Sequence, residues 1–183
     1  MKVIVAITGA SGAIYARQCL EKLLEAAEVD EIALVVSDMG REVMAYEGVE
    51  LPESEKIVRY ANDDMFSPVA SGSAKWDAMV VVPASMGSVG RIASGVSLSL
   101  IERAADVMLK ERRRLIVVVR ETPYSLIHLR NMTALTEAGA VVLPASPSFY
   151  SHPADLEQAV MTVTERIIAH MGISQPSYSF SGR

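Results

Sequence analysis

The chain has 183 residues, half of them apolar, with 17 basic and 22 acidic side chains, a net charge of −5 and a single cysteine. That length suits one domain, and the apolar content excludes a disordered chain. One cysteine excludes an internal disulfide framework or a cysteine-based zinc cluster and points to a reducing cytoplasm, while the acidic balance argues against nucleic acid as a partner. No window offers ~20 uninterrupted apolar residues, so no membrane span is expected, and the apolar run at 1–7 is too short for a signal peptide. The apolar surplus is expected in a sheet buried on both faces and in contacts between subunits.

In chain order, the β-branched run Lys2–Ile7 predicts a strand. Residues 12–26 predict a helix, with Ile14, Cys19, Leu20, Leu23 and Leu24 as its apolar stripe. Glu31–Val36 reads as a second strand and residues 41–46 as a short helix. Residues 53–71 are more polar, are broken by Pro68, and read as loops around short elements. A third strand is expected over 78–82, closed by Pro83, and then a strong helix over 97–110. The continuous apolar run 115–119 is a buried strand, ended by Arg120-Glu121-Thr122-Pro123. Residues 126–138 are helical up to Gly139, a usual helix stop. A last strand at 140–143, a proline-rich loop through Pro153 and a helix over 155–171, stopped by Gly172, complete the pattern.

Apolar strands alternating with helices imply a parallel sheet. The fold class is therefore α/β: a three-layer, doubly wound, Rossmann-like sandwich. Residues 1–173 read as one α/β domain, and 174–183, Ser-rich with a proline, as a tail that is flexible or wraps a neighbouring subunit.

Ligands of such sheets bind beyond the carboxyl ends of the strands. The first strand runs into Thr8-Gly9-Ala10-Ser11-Gly12. Its glycines admit close backbone approach, and the helix N-terminus that follows offers free N–H groups to a phosphate. The full G-x-G-x-x-G spacing is absent, so no dinucleotide fingerprint is met. Ser37 ends the second strand as a ligand donor or a helix N-cap, the cap being favoured on local grounds. Pro83-Ala84-Ser85-Met86-Gly87-Ser88 and Ala70-Ser71-Gly72-Ser73 supply hydroxyls that suit a polar ring edge or a ribityl chain, or ordinary turns. Arg103 and Lys110 lie two turns apart on one helix face, able to meet an anion or to pair with Asp106. Arg120 suits a phosphate or a ring carbonyl and Glu121 suits proton transfer, the alternative being an intersubunit ion pair. His128 and His152 read as structural, Cys19 as core, and no His/Asp/Glu cluster has metal-ligand spacing.

Six segments occur in order: Gly9-Ala10-Ser11-Gly12-Ala13-Ile14-Tyr15, Ala70-Ser71-Gly72-Ser73, Arg103-Ala104-Ala105-Asp106-Val107-Met108-Leu109-Lys110-Glu111, Arg120-Glu121-Thr122-Pro123, His128-Leu129-Arg130-Asn131-Met132 and Pro147-Ser148-Phe149-Tyr150. Together they closely resemble the UbiX-type flavin prenyltransferases, over about residues 2–172. The resemblance implies an enzyme that joins a dimethylallyl group from dimethylallyl phosphate to N5 and C6 of reduced FMN, without a metal. The product, prenylated FMN, is the cofactor of UbiD-type decarboxylases. The resemblance assigns FMN contacts to Gly9, Ala10, Ser11, Ser37, Ser85, Met86, Gly87, Ser88 and Arg120. It assigns the allylic phosphate to Arg103, Lys110, Tyr150 and Arg166, some of them from neighbouring subunits of a dodecamer. Glu47, Lys110 and Glu121 are implied as catalytic. Two positions depart from the pattern: Ala84 stands where many relatives carry Cys, and Asp64 with Phe66 leaves the prenyl wall near residues 63–66 unassigned.

Rival readings share parts of this picture. A peptidyl-cysteine decarboxylase of the phosphopantothenoylcysteine type carries Pro-Ala-Ser-Ala-Asn-Thr; Pro83-Ala84-Ser85 matches, Met86-Gly87-Ser88 does not. A non-catalytic flavin carrier would bind FMN without needing Lys110, Glu121, Tyr150 and Arg166 together. A direct aromatic-acid decarboxylase lacks a decarboxylating constellation beyond the flavin site.

Overall fold

A computed structural model describes residues 1–174, so the residues beyond, which include nearly all of the expected tail, lie outside the described residues. The described residues form a six-stranded parallel sheet of β1 (Lys2–Ile7), β2 (Glu31–Val36), β3 (Ile57–Tyr60), β4 (Ala78–Ala84), β5 (Arg114–Val119) and β6 (Val141–Pro144), in the order β3-β2-β1-β4-β5-β6. The helices are α1 (Ala13–Glu25), α2 (Asp38–Glu47), α3 (Met86–Ala93), α4 (Leu100–Lys110), α5 (Leu126–Glu137) and α6 (Leu156–Met171). None of the described helices is long and apolar enough to cross a membrane.

The central strands are buried along nearly their whole length because both faces are covered. Val3, Val5 and Ile7 point to a core shared with α1 and α6 (Cys19, Leu20, Leu23, Val163, Ile167). Ile4 and Ala6 point to a second core built with α3 and α4 (Val89, Ile92, Leu100, Ala104, Met108). Period-two alternation thus divides each strand between the layers. Cys19 is fully buried in the first core, where desolvation pushes its thiol up to about 12. Strand order reverses between β1 and β4, and at such a switch point the loops leave in opposite directions and open a crevice.

Four expectations change. Residues 57–60, read as part of a loop region, form the edge strand β3; it is short, and its middle residues Val58 and Arg59 are exposed, so it has no apolar run to announce it. The segment after β4, read as a polar loop, is the N-terminus of α3, a helix masked by Gly87 and Gly90. α4 begins at Leu100 rather than 97, after Glu102 has folded back to accept the Ser99 N–H (3.0 Å). β4 does not close before Pro83: it runs on to Ala84, with the β5 register shifting between Val81 and Ala84, where proline has no N–H to give.

Candidate active site

The carboxyl ends of β1 and β4 are stitched together by one side chain that sequence reasoning passed over, and β5 joins them through a backbone bond. Thr8 is buried; its hydroxyl donates to the Pro83 carbonyl (2.8 Å) and accepts the Ser85 N–H (2.8 Å), and Arg120 N–H meets the Ala84 carbonyl (3.3 Å). Gly9 follows, and a Cβ there would lie 2.5 Å from the Met39 Cβ, so only glycine lets the β1–α1 loop pass α2 this closely. Gly12 takes φ +108°, a left-handed turn that swings the chain into α1.

The free amides expected at the α1 N-terminus are not all free. Gly12 N–H (2.8 Å) and Ala13 N–H (2.8 Å) both donate to the Glu47 carboxylate, which arrives from the last turn of α2. Burial raises the Glu47 pKa, but hydrogen bonds from Ser11, Gly12 and Ala13 and the nearby Arg120 charge outweigh it and leave the carboxyl below its ordinary value. Glu47 is therefore ionised at neutral pH. Ser37 is the N-cap of α2, accepting the Gly40 N–H at 3.0 Å, as its local sequence favoured.

Gly9, Ser11, Met39, Glu42, Val43, Tyr46, Glu47 and Arg120 line an open cavity of about 620 Å³. Met39, Val43 and Tyr46 form its apolar wall, at helical spacing on α2; a stripe facing a cavity instead of the core is a signal that a periodicity search would have assigned to packing. Arg120 enters from the end of β5, and its Nε is buried without a hydrogen-bond partner. Glu121, half-buried, accepts the Thr122 N–H at 2.9 Å. Ser85 caps α3, its hydroxyl 3.1 Å from that of Ser88, with Met86 buried and Gly87 exposed between them.

The residues expected at the allylic phosphate lie elsewhere on the chain. α4 runs from the strands' carboxyl ends, where Leu100 N–H meets the Asn62 carbonyl (2.7 Å), back to the start of β5. Its length of ~16 Å places Lys110 near the amino ends of the strands, away from the cavity at their carboxyl ends. There Lys110 pairs with Glu111 rather than Asp106, while Arg103 reaches the Ala70 carbonyl (3.2 Å) and Asp106 (2.9 Å). Arg166 lines a groove of about 320 Å³ between β6 and α6. Tyr150 is exposed beside it, its segment held by the Ser148 N–H to Thr162 Oγ1 bond (2.9 Å). One chain therefore carries three separate groups: the cavity, the α4 face and the β6–α6 corner. His128 serves as a helix cap, its Nδ1 accepting the Ser125 N–H (3.3 Å).

An open parallel sheet with a switch-point crevice, lined by Gly9, Ser11, the apolar stripe of α2, two carboxylates and Arg120, defines a Rossmann-like α/β protein with a ligand crevice at its strand ends. Residues 1–172 match the Flavoprotein family. The flavin prenyltransferase UbiX of Methanocaldococcus jannaschii is 46% identical over 176 residues, covering 94% of each chain. The solved structure of AnUbiX (PadA1) in complex with FMN and dimethylallyl pyrophosphate superposes with a TM-score of 0.89 at 37% identity, covering 98% of both chains. A dodecameric FMN-dependent UbiX-like decarboxylase from Escherichia coli O157:H7 gives 0.91 at 36% identity over the whole of both chains. This chain belongs to the flavoprotein family, as one of its UbiX-type flavin prenyltransferases.

Proposed function

We propose that the chain binds FMN in the cavity at the ends of β1, β4 and β5 and joins a dimethylallyl group from dimethylallyl phosphate to N5 and C6 of the reduced flavin. The product would serve a UbiD-type decarboxylase. The observation that carries this reading is Arg120: a cation at the end of β5, with its Nε buried and unpartnered, lines the cavity together with Ser11, where a phosphate or ring carbonyl of a flavin would meet its guanidinium. Gly9, Ala10, Ser11, Ser37, Ser85, Met86, Gly87, Ser88 and Arg120 would hold FMN; all lie at or next to these strand ends.

Reduced FMN supplies electron-rich ring atoms as nucleophiles, so the protein's task lies with the other partner. The allylic C–O bond breaks, the phosphate leaves with the electron pair, and positive charge develops on the allyl group. Arg103, Lys110, Tyr150 and Arg166 stabilise the departing phosphate. Joining N5 releases the N5 proton, and joining C6 needs a proton added to the allyl double bond and releases the one on C6. Glu47, held ionised by its cap, would accept a released proton, and a protonated carboxyl would return one to the double bond. Glu121 stands next to Arg120 as the second proton carrier.

The three separated groups support a site completed between subunits. Large apolar side chains on the surface point the same way: Phe66 (101% exposed) and Leu98 (82%) stand in solvent on the single chain. A homo-oligomer like the dodecameric relative covers them.

The test is anaerobic incubation of the FMN-bound protein with reduced FMN and dimethylallyl phosphate, followed by mass measurement of the extracted flavin. The reading expects FMN to gain one dimethylallyl unit. Unchanged FMN from folded, FMN-loaded protein would leave the carrier reading in its place. A parallel run with the pyrophosphate identifies the donor.

A further inference from the structure

Glu102 and Arg91 have no part in the assignments above, yet Glu102 is the most buried charged side chain among the described residues, and Arg91, about half exposed, is its ion-pair partner. Glu102 is 3% exposed. A carboxylate out of water persists only when its oxygens are fully partnered. Here Leu98 N–H (2.8 Å) and Ser99 N–H (3.0 Å) supply two bonds, and Arg91 Nε closes the set. The amides belong to the α4 cap; the arginine comes from a different helix.

Arg91 does not end at Glu102. Its Nη2 donates to Ser88 Oγ (3.3 Å), which sits 3.1 Å from Ser85 Oγ, and a Cβ on Gly87 would lie 3.4 Å from its Nη1. The guanidinium thus lies back across the first turn of α3. The N-terminal end of a helix repels a cation, and an arginine on an exposed helix face is free to extend into water. The buried Glu102 charge holds it in place against both tendencies. What the arrangement fixes is the pair of hydroxyls at the carboxyl end of β4, on the rim of the crevice.

We infer that the Arg91–Glu102 pair is a positioning device for the flavin: Glu102 anchors Arg91, and Arg91 orients the Ser88 and Ser85 hydroxyls toward FMN. The inference rests on the FMN reading above and extends it to two residues that do not touch the ligand. Because Arg91 donates to Ser88 Oγ, the Ser88 hydroxyl turns its own proton to Ser85 Oγ, which leaves the Ser85 proton free for the ligand; without the guanidinium either hydroxyl can be the donor and that direction is lost.

The experiment titrates FMN into apo-protein by flavin fluorescence and records the bound visible spectrum, for wild type, Arg91→Met, Arg91→Lys, Glu102→Gln and the Arg91→Met/Glu102→Gln double variant. The amide introduced by Glu102→Gln retains an oxygen for the Leu98 and Ser99 N–H groups, so this variant keeps the α4 cap even if Arg91→Met folds poorly. Arg91→Met is expected to weaken FMN binding about tenfold and Arg91→Lys about threefold, with the double variant no weaker than Arg91→Met because the residues act as one unit. Glu102→Gln falls between wild type and Arg91→Met, and the fine structure of the bound flavin spectrum relaxes toward that of free FMN in the same order. If Arg91→Met and Glu102→Gln bind FMN within about twofold of wild type with unchanged spectra while only their melting temperatures fall, the pair braces α3 against α4 and the inference is wrong. Wild-type protein that binds no FMN overturns the functional reading itself, which is a different result from equal binding by all variants.

Discussion

Glu47 is both the cap of α1 and a wall of the candidate active site. Its carboxylate takes two backbone amides at 2.8 Å, and the same bonds, with Arg120 nearby, keep it charged. A folded-state pKa below the ordinary 4.5 means that the stabilisation is complete above that value and is lost as pH falls through the lower, folded value. Glu47→Gln is expected to cost about 1 kcal/mol at neutral pH, the size of an N-cap contribution at a partly exposed site. Denaturant unfolding measured from pH 7 down to pH 3 should show the wild-type advantage shrinking in the acid range; an advantage that stays constant to pH 3 would mean that the cap owes nothing to charge. At this scale the sequence is only partly legible. Ser37 reads correctly as a cap because its helix follows at once. Glu47 cannot be read as the cap of α1, since 34 positions separate it from Ala13 and only the docking of α2 brings them together. Arg120 is legible as a charge at the end of a buried run; that its Nε lacks a partner is a property of packing.

At the scale of elements, local pattern fixed what depends on local pattern. β1, β2, β5 and the helices α1, α5 and α6 stand within a residue or two of their expected bounds, because continuous apolar runs, helical stripes and the stops at Gly139 and Gly172 are short-range signals. β3 and α3 were not legible: one is a polar edge strand, the other a glycine-bearing helix whose stability comes from packing against α4 and α5. The junction of β1 with β4 depends on Thr8, whose hydroxyl is the partner of the Ser85 amide. Thr8→Val keeps the shape but strands that N–H, and a stranded buried donor costs about 1–3 kcal/mol. Thermal melting of the apo-protein is expected to show this loss in Thr8→Val and less than about half of it in Thr8→Ser, which keeps the hydroxyl. Equal melting of Thr8→Val and wild type would show that the strand ends are held by the backbone ladder alone.

At the scale of the whole molecule, the surplus apolar content noted at the outset divides in two. Part is consumed by a sheet covered on both faces, and the rest stands on the surface at Tyr46, Phe66, Leu98 and Tyr150. The separation of Lys110 from Glu47 belongs to the same account. α4 carries Lys110 to the amino ends of the strands, so a site that uses both must draw them from different chains. This makes a genetic test decisive. Glu47→Gln and Lys110→Ala should each lose turnover by about 100-fold or more when expressed alone, if each acts on charge in the transition state. Co-expressed in equal amounts, they assemble randomly, and a site built from two chains receives both native residues in about a quarter of cases. The mixed oligomer should therefore regain about a quarter of wild-type turnover, read by the mass shift of extracted FMN. If Glu47 and Lys110 serve one site from one chain, no mixture contains an intact site, and the mixed oligomer stays as inactive as its parents.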